Sequence, residues 1–398
     1  MMKLRTLSTI FLTPFRRRSD AMCFPYYRGK AMVLSTFFSP VIGDNEKWGK
    51  KSMIQIFLSL LFFALILSPP ILFAGQGSAG AKFLQINSFP RAAGLGGTMV
   101  ARGGLLEGVH YNPASIATLK GFTAIVSHSE YFVDMGYEQF SAAYRTSFGT
   151  IAVGMVGLFS GEMEETTELD PLGTGRMFTA NDYALHMSFG KKFTDKFSGG
   201  WTAKYVIQTI DKLSATNVVF DIGALYNTGL INNLVIGFAL RNFGKDMHYS
   251  GENLQKQVKL GESDFEEEDV RIEVVSEDYQ LPISFELGFS MDFPLPLGAK
   301  LTTSLAIRNI VDQAEFSSAG VELNIKDFII LTAGHGNLNS LGYSDPTDAQ
   351  LNGNMRGFSG GFGVNLEPVF RQKTKLFYGF EDHRYLEPIH SVGVQFQL

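Results

Sequence analysis

Gly357-Phe358-Ser359-Gly360-Gly361 spells G-x-S-x-G, the pattern in which a serine on a strained strand-to-helix elbow attacks an acyl group. That chemistry needs a helix directly after the serine. Here an alternating strand pattern runs straight through, so Ser359 reads as a small residue facing a lumen. The histidines supply no base for it: His128, His186 and His335 stand singly in strand-like stretches. His383 and His390 have neither an i,i+4 mate nor a cysteine, so no metal set forms. Phospholipase chemistry would add a His and an Asn or Ser on adjacent strand positions, and no such set is legible. Glu162-Met163-Glu164-Glu165 and Glu266-Glu267-Glu268-Asp269 gather carboxylates that could attract calcium. Neither run has the alternating ligand spacing of a dedicated site, so both read as solvated loop charge. The expectation is a protein with no catalytic residue, no metal and no cofactor.

With catalysis set aside, composition narrows the class. The 398 residues are 45% hydrophobic and 18% charged, with 42 glycines, 35 phenylalanines and a single cysteine, Cys23. A disordered chain and a disulfide scaffold are both excluded. Lys+Arg at 34 against Asp+Glu at 39 gives a net charge of −5, which argues against nucleic acid as a partner. Abundant glycine and rings with little cysteine suit a large β-structure with rings outward and small residues inward.

Ile54 to Leu67 is apolar apart from Gln55 and Ser59, follows Lys47, Lys50 and Lys51, and runs into Ser68-Pro69-Pro70 and Leu72-Phe73-Ala74-Gly75. These are the three parts of a secretory signal peptide, over 53–74, with cleavage after Ala74. The alternative, a spanning helix, is too short and ends in a double proline. Residues 1–52, with Arg16-Arg17-Arg18, read as an unstructured or mis-assigned extension, Met32 or Met53 being nearer the true start. Loss of residues 1–74 removes far more basic than acidic groups and the sole thiol, leaving an acidic, cysteine-free chain that suits a bacterial envelope.

Past residue 120 a two-residue alternation recurs in stretches of strand length. Ile283, Phe285, Leu287, Phe289 and Met291 oppose Ser284, Glu286, Gly288, Ser290 and Asp292, and the closing stretch sets Val392, Val394, Phe396 and Leu398 against Ser391, Gly393, Gln395 and Gln397. The pattern predicts strands near 122–131, 137–146, 150–159, 181–192, 197–211, 216–227, 234–242, 280–291, 299–310, 315–325, 328–337, 357–365, 374–381 and 389–398. That is an even number, as a closed antiparallel barrel with both ends on one side requires. The long links 160–180, 243–279 and 338–356 all fall on one side, and the short links on the other, as in outer-membrane barrels.

The two faces of these strands decide between solvents. Phe140, Tyr144, Trp201, Tyr205, Phe220, Phe238, Phe285 and Phe362 lie on the predicted outer face, toward lipid. Arg145, Lys204, Asp221, Arg241, Glu286, Arg308 and Glu322 lie on the inner face. A dry soluble core would not hold so many charges cheaply, whereas a hydrated or plugged lumen can pair them. The fold class is therefore all-β, an antiparallel transmembrane barrel over 121–398. Residues 75–120 precede it as a plug with a short helix, begun by Asn112 as N-cap and Pro113 in the first turn.

Within that segment, Arg91-Ala92-Ala93-Gly94-Leu95-Gly96-Gly97, a spacer carrying Glu107, and then Asn112-Pro113-Ala114 resemble the N-terminal signature of the PorV/PorQ family, itself related to the FadL-type channels. The resemblance implies an outer-membrane barrel of a diderm bacterium. PorV-like members serve a type IX secretion system, which implies a scaffold or transfer protein receiving secreted proteins on loops 160–180, 243–279 and 338–356. The FadL branch implies passive transport of long-chain fatty acids or other hydrophobic ligands past the hatch. Asn112-Pro113-Ala114 is common to both. A greasy cavity reaching a gap in the wall would favour transport; a sealed lumen would count against it.

Overall fold

The computed structural model describes residues 79–398 except 88, 230, 261–267, 312, 314, 339–355 and 384–385. The chain divides into the units Met1–Leu72 and Phe73–Leu398, and every described residue belongs to the second. The expected extension and signal segment therefore lie outside the described residues.

Fourteen antiparallel strands form the wall of a closed barrel. They are β1 Phe122–Glu130, β2 Gly136–Arg145, β3 Thr150–Glu164, β4 Met177–Lys192, β5 Phe197–Ile210, β6 Leu213–Asn227 and β7 Val235–Phe243. The second half comprises β8 Ser284–Leu295, β9 Ala299–Ile310, β10 Phe316–Ile325, β11 Ile329–His335, β12 Arg356–Asn365, β13 Lys373–His383 and β14 Leu386–Gln397. Each strand pairs with its sequence neighbours, and β1 closes the ring on β14 from Thr123↔Gln397 to Glu130↔His390. Closure leaves no whole strand of the wall as a free edge to recruit other chains.

Alternation sorts the side chains as a barrel requires. Phe140, Tyr144, Trp201, Tyr205, Phe220 and Phe362 are exposed on the outside, with Val126, Leu185, Ile222, Leu331 and Val392 extending the apolar belt. Phe238 and Phe285 are only partly exposed because their rings pack edge to face at 4.9 Å. So extensive an apolar surface is stable only against hydrocarbon. Ser127, Ser141, Ser188, Thr202 and Ser304 alternate with these residues and are buried toward the bore.

Three boundaries depart from the sequence reading, each for a physical reason. Strands β3 and β4 continue together past a bulge between Phe159 and Glu162, so the expected loop 160–180 shrinks to 165–176 and Glu162 to Glu164 are paired with β4. Strand β8 starts at Ser284 rather than near 280, because Pro282 has no amide hydrogen to give a ladder and Leu281 packs into the bore instead. The external link 244–283 carries its own small hairpin, Gln255–Leu260 with Glu268–Glu273. Glu268 and Asp269 are in that hairpin, and Glu266 and Glu267 lie outside the described residues, as does nearly all of 338–356.

Candidate functional site

Residues 79–121 thread the bore in short turns: Lys82–Gln85, the helix α1 Pro90–Gly94, Glu107–His110 and Pro113–Thr118. Apart from α1 these are 3₁₀ turns, so the helix expected after Asn112 is the tighter form. The Asn112 side chain accepts from the Ala114 amide at 3.0 Å, a cap that starts the turn. Its Nδ2 donates to Val100 O at 2.7 Å and to Ala224 O on β6 at 3.0 Å, tying the turn to the wall. Pro113 and Ala114 lie against β5 so closely that a Cβ at Gly200 would come 2.5 Å from the Pro113 carbonyl carbon. Gly96 and Gly97 have φ of 60° and 76°, the left-handed conformation that lets the chain reverse after α1 beside His335 and Arg308. The Gly94 carbonyl accepts weakly from Ser359 Oγ at 3.4 Å, which places that serine in the bore, fully buried.

Charge is neutralised in the lower bore by ion pairs between the threaded segment and the wall. Arg91 grips Glu322 of β10 through Nε and Nη2 at 2.7 and 2.8 Å, and its Nη1 donates to Glu107 at 2.9 Å. Arg102 Nη2 reaches the same Glu322 at 2.8 Å. Two guanidinium groups face two carboxylates, and all four side chains are buried. Arg145 donates to the carbonyl of Ala117, at the end of the last turn. Phe89, Leu106, Val109, Ile116 and Leu119 fill the remaining space against Ile125, Ile330 and Phe377.

Higher in the bore the wall charges converge differently. Arg241 on β7 and Arg308 on β9 share Glu286 on β8, at 2.6 and 3.2 Å, and Arg308 also donates to the Gly97 carbonyl. Lys204 on β5 pairs with Asp221 on β6 at 2.6 Å and donates to Asn242 Oδ1 at 2.9 Å.

Asp221 and Asn242 mark a break in the wall. From Asn227 down to Ile222, β6 pairs regularly with β7, but Phe220 is then matched to Phe243, leaving Arg241 and Asn242 opposite Asp221 alone. This is a β-bulge: Asn242 has φ of 58°, and its amide is taken by the Asp221 carboxylate at 2.8 Å. Beyond it β7 ends, and Ala215 to Val219 have no ladder partner on that side among the described residues. The Val218 amide turns to Asn217 Oδ1 at 2.7 Å instead. The unpaired stretch borders an outer indentation of about 610 Å³, lined by Tyr205, Val218, Phe220, Phe243 and Gly244.

Directly inside that seam the bore is apolar. Val219, Val206, Ala215, Val156, Ala184 and Tyr137 of the wall meet Phe83 and Leu84 of the threaded segment, and Met247 and Leu281 close over them from the external link. Met247 is held there by paired backbone hydrogen bonds to Tyr279, at 3.0 and 2.8 Å. A Cβ on Gly244 would come 2.8 Å from Val219 Cγ1 and 3.0 Å from Leu281 Cδ1, so only this thin layer separates the indentation from the apolar bore.

Sequence reasoning placed Arg145, Lys204, Asp221, Arg241, Glu286, Arg308 and Glu322 without their partners. Arg102, Asn242, Gly244 and the loop residues Met247 and Leu281 escaped it. The doublet Arg241-Asn242 was the available signal, since two successive polar residues break the alternation of β7. Of the histidines, His186 is buried and meets His110 edge to face at 4.8 Å, whereas His128 faces outward and pairs with Glu138 at 2.6 Å. His383 and His390 sit beside Phe132 and Tyr378 at 5.0 and 6.1 Å.

No family model matches the chain, and no curated protein matches it. Among solved structures, the CymD monoaromatic hydrocarbon channel aligns with a TM-score of 0.50 at 12% identity, over 78% of this chain and 98% of that one. The toluene transporter TbuX of Ralstonia pickettii gives 0.49 at 10% identity, over 78% and 98%. A FadL homologue of Pseudomonas aeruginosa gives 0.45 at 12%, over the same shares. The likeness is one of fold. The PorV/PorQ resemblance of the Arg91–Ala114 signature finds no support in these comparisons.

Proposed function

We propose that this protein is an outer-membrane channel for passive diffusion of hydrophobic compounds, reached through the external half of the bore and left through the seam between β6 and β7. The observation that carries the reading is the unpaired stretch Ala215 to Val219 with an apolar bore directly behind it. A nonpolar solute moving from that cluster to the lipid belt avoids water at each step, which the hydrophobic effect favours. Travel straight down the bore would require displacing Arg91 and Arg102 from Glu322, leaving buried charge uncompensated. The fold shared with a hydrocarbon channel adds support. The range of solutes extends to long-chain fatty acids and other hydrophobic compounds. Export by the segment 53–74, cleaved after Ala74, belongs to the same proposal. The secretion-scaffold reading, which the PorV/PorQ resemblance puts first, has no comparable observation behind it, and the transport alternative takes its place.

A cross-link tests the seam. With Val219→Cys and Gly244→Cys introduced, the spacing that puts a Gly244 Cβ 2.8 Å from Val219 Cγ1 favours a bond between the two thiols. Lipid vesicles carrying the oxidised variant should take up a hydrophobic fluorescent probe more slowly than wild type, with recovery on reduction. Uptake unchanged by a verified cross-link would remove the seam from the route.

A further inference from the structure

The external half of the bore also holds a polar chamber that a nonpolar solute would not use. Its volume is about 220 Å³, and its walls include Arg241, Arg308, Arg356 and Glu286, with Phe132 and Phe316 beside them. The charges do not balance among the described residues. Arg241 and Arg308, two guanidinium groups, share the single carboxylate of Glu286, while Arg356 Nε holds Glu381 at 3.3 Å.

Donors are left over as well. Arg241 gives Nη1 to Glu286 at 2.6 Å and Nη2 to the Leu84 carbonyl at 3.1 Å, yet its buried Nε has no hydrogen-bond partner among the described residues. Gln85, whose Oε1 accepts from Gln313, likewise has an unpartnered Nε2. Arg241 as a whole is only 7% exposed, so bulk solvent does not compensate it. A buried, surplus cation with unmade donors is costly until an anion meets it. Rings form much of the remaining wall, beside Ile310 and Ser284: the Arg308 guanidinium lies 5.8 Å from the Phe316 ring centre, and Phe132 meets His383 at 5.0 Å. The chamber is much larger than one water, whose share of liquid volume is about 30 Å³, and far too small for an extended acyl chain.

We infer that this chamber binds a small aromatic carboxylate of benzoate size, the carboxylate meeting the donors of Arg241 and Gln85 and the ring lying toward Phe132 and Phe316. The inference deepens the conduit reading and rests on it only for onward passage of the bound molecule; occupancy itself is measured without transport.

The test is equilibrium dialysis of radiolabelled benzoate against the full chain in detergent micelles. Saturable binding is expected, with benzyl alcohol, which keeps the ring and lacks the charge, weaker by about tenfold or more. Arg241→Gln should abolish binding. Because that variant also loses an ion pair, Phe132→Ala in the β1–β2 turn supplies an independent check: it should weaken binding severalfold while the barrel keeps its heat-modifiable gel migration. Absence of saturable benzoate binding, equal binding of benzyl alcohol, or undiminished affinity in folded Phe132→Ala would each overturn the inference. Benzoate binding without vesicle uptake of a hydrophobic probe would leave the inference standing and remove the conduit; uptake without benzoate binding would do the reverse.

Discussion

The two halves of the bore solve the same problem in opposite ways. In the lower half, two arginines and two glutamates neutralise one another between the threaded segment and β10, and the wall around them is an unbroken ladder. In the upper half the charges gather on one side, an apolar cluster occupies the other, and the ladder beside that cluster is broken. The difference separates closure from passage. A region whose charges neutralise one another resists opening because each ion has only its counter-ion to turn to. A region packed by side chains of a loop and an unpaired strand can rearrange without stranding a charge.

The sharpest way to break this contrast is to remove the carboxylate that two arginines share. Glu322→Ala leaves Arg91 with Glu107 alone and takes from Arg102 the carboxylate it pairs with, while both guanidinium groups stay buried. Loss of one member of a buried ion pair costs about 3–5 kcal/mol. The expected outcome is a large fall in the urea midpoint of the vesicle-embedded barrel, or release of the threaded segment seen as new protease cleavage within 79–121. A midpoint equal to that of wild type would show that the lower network does not hold the segment.

Glycines in the two halves offer a finer comparison. A methyl on Gly200 would meet the backbone of Pro113 and Ala114 at 2.5 and 2.8 Å, whereas one on Gly244 meets mainly the tips of Val219 and Leu281. Backbone yields less readily than side-chain ends, so Gly200→Ala should destabilise by about 1–3 kcal/mol. Gly244→Ala should change stability less and instead slow probe uptake by thickening the layer at the seam. Reversal of that pattern in paired urea and uptake measurements would mean that the seam is structural and the lower bore is the path.

How much of this was legible beforehand depends on what alternation can encode. The period of two reports which face a residue occupies, so the wall, its strand number, the exposed ring belt and the inward direction of Lys204, Asp221, Arg241, Glu286, Arg308 and Glu322 could be read. It says nothing of where a strand loses its neighbour. The break beside Val219 arises from pairing across β6 and β7, and its local trace, Arg241-Asn242, looks like any polar doublet until Asp221 is placed opposite. The paired ends of β3 and β4 were hidden for a related reason: the bulge after Phe159 shifts the phase, so Glu162 to Glu164 look like loop. Threaded residues such as Arg102 follow no period at all, because 3₁₀ turns and coil are fixed by contacts with the wall. The family signature does not resolve the finer branch for the same reason: Gly96, Gly97 and the Asn112 cap are what a chain needs to turn inside a narrow bore, whichever solute or partner that bore serves.

At the external rim the smallest effect is electrostatic and reversible. Asp211, in the turn between β5 and β6, receives Arg176 Nη2 at 2.6 Å and Asn253 Nδ2 at 2.6 Å. The hydrogen bond from Arg176, followed by that from Asn253, holds its carboxyl below the usual aspartate range. A carboxyl depressed in the folded state contributes stability that is present above its unfolded value, near 3.9, and lost as pH falls through the folded value. Acidification below about pH 4 should therefore loosen the contact between this turn, Arg176 and the link after β7, while the buried ladder of the wall persists. Limited proteolysis of the intact barrel with an acid-active protease reads this directly: cleavage near 245–255 should rise on acidification in wild type. In Asp211→Asn, which keeps the shape and loses the charge, cleavage should already be raised at pH 7 and change less on acidification. Equal acid sensitivity in the two proteins would assign the loosening to other carboxylates of the rim and leave the contrast between the halves of the bore untouched.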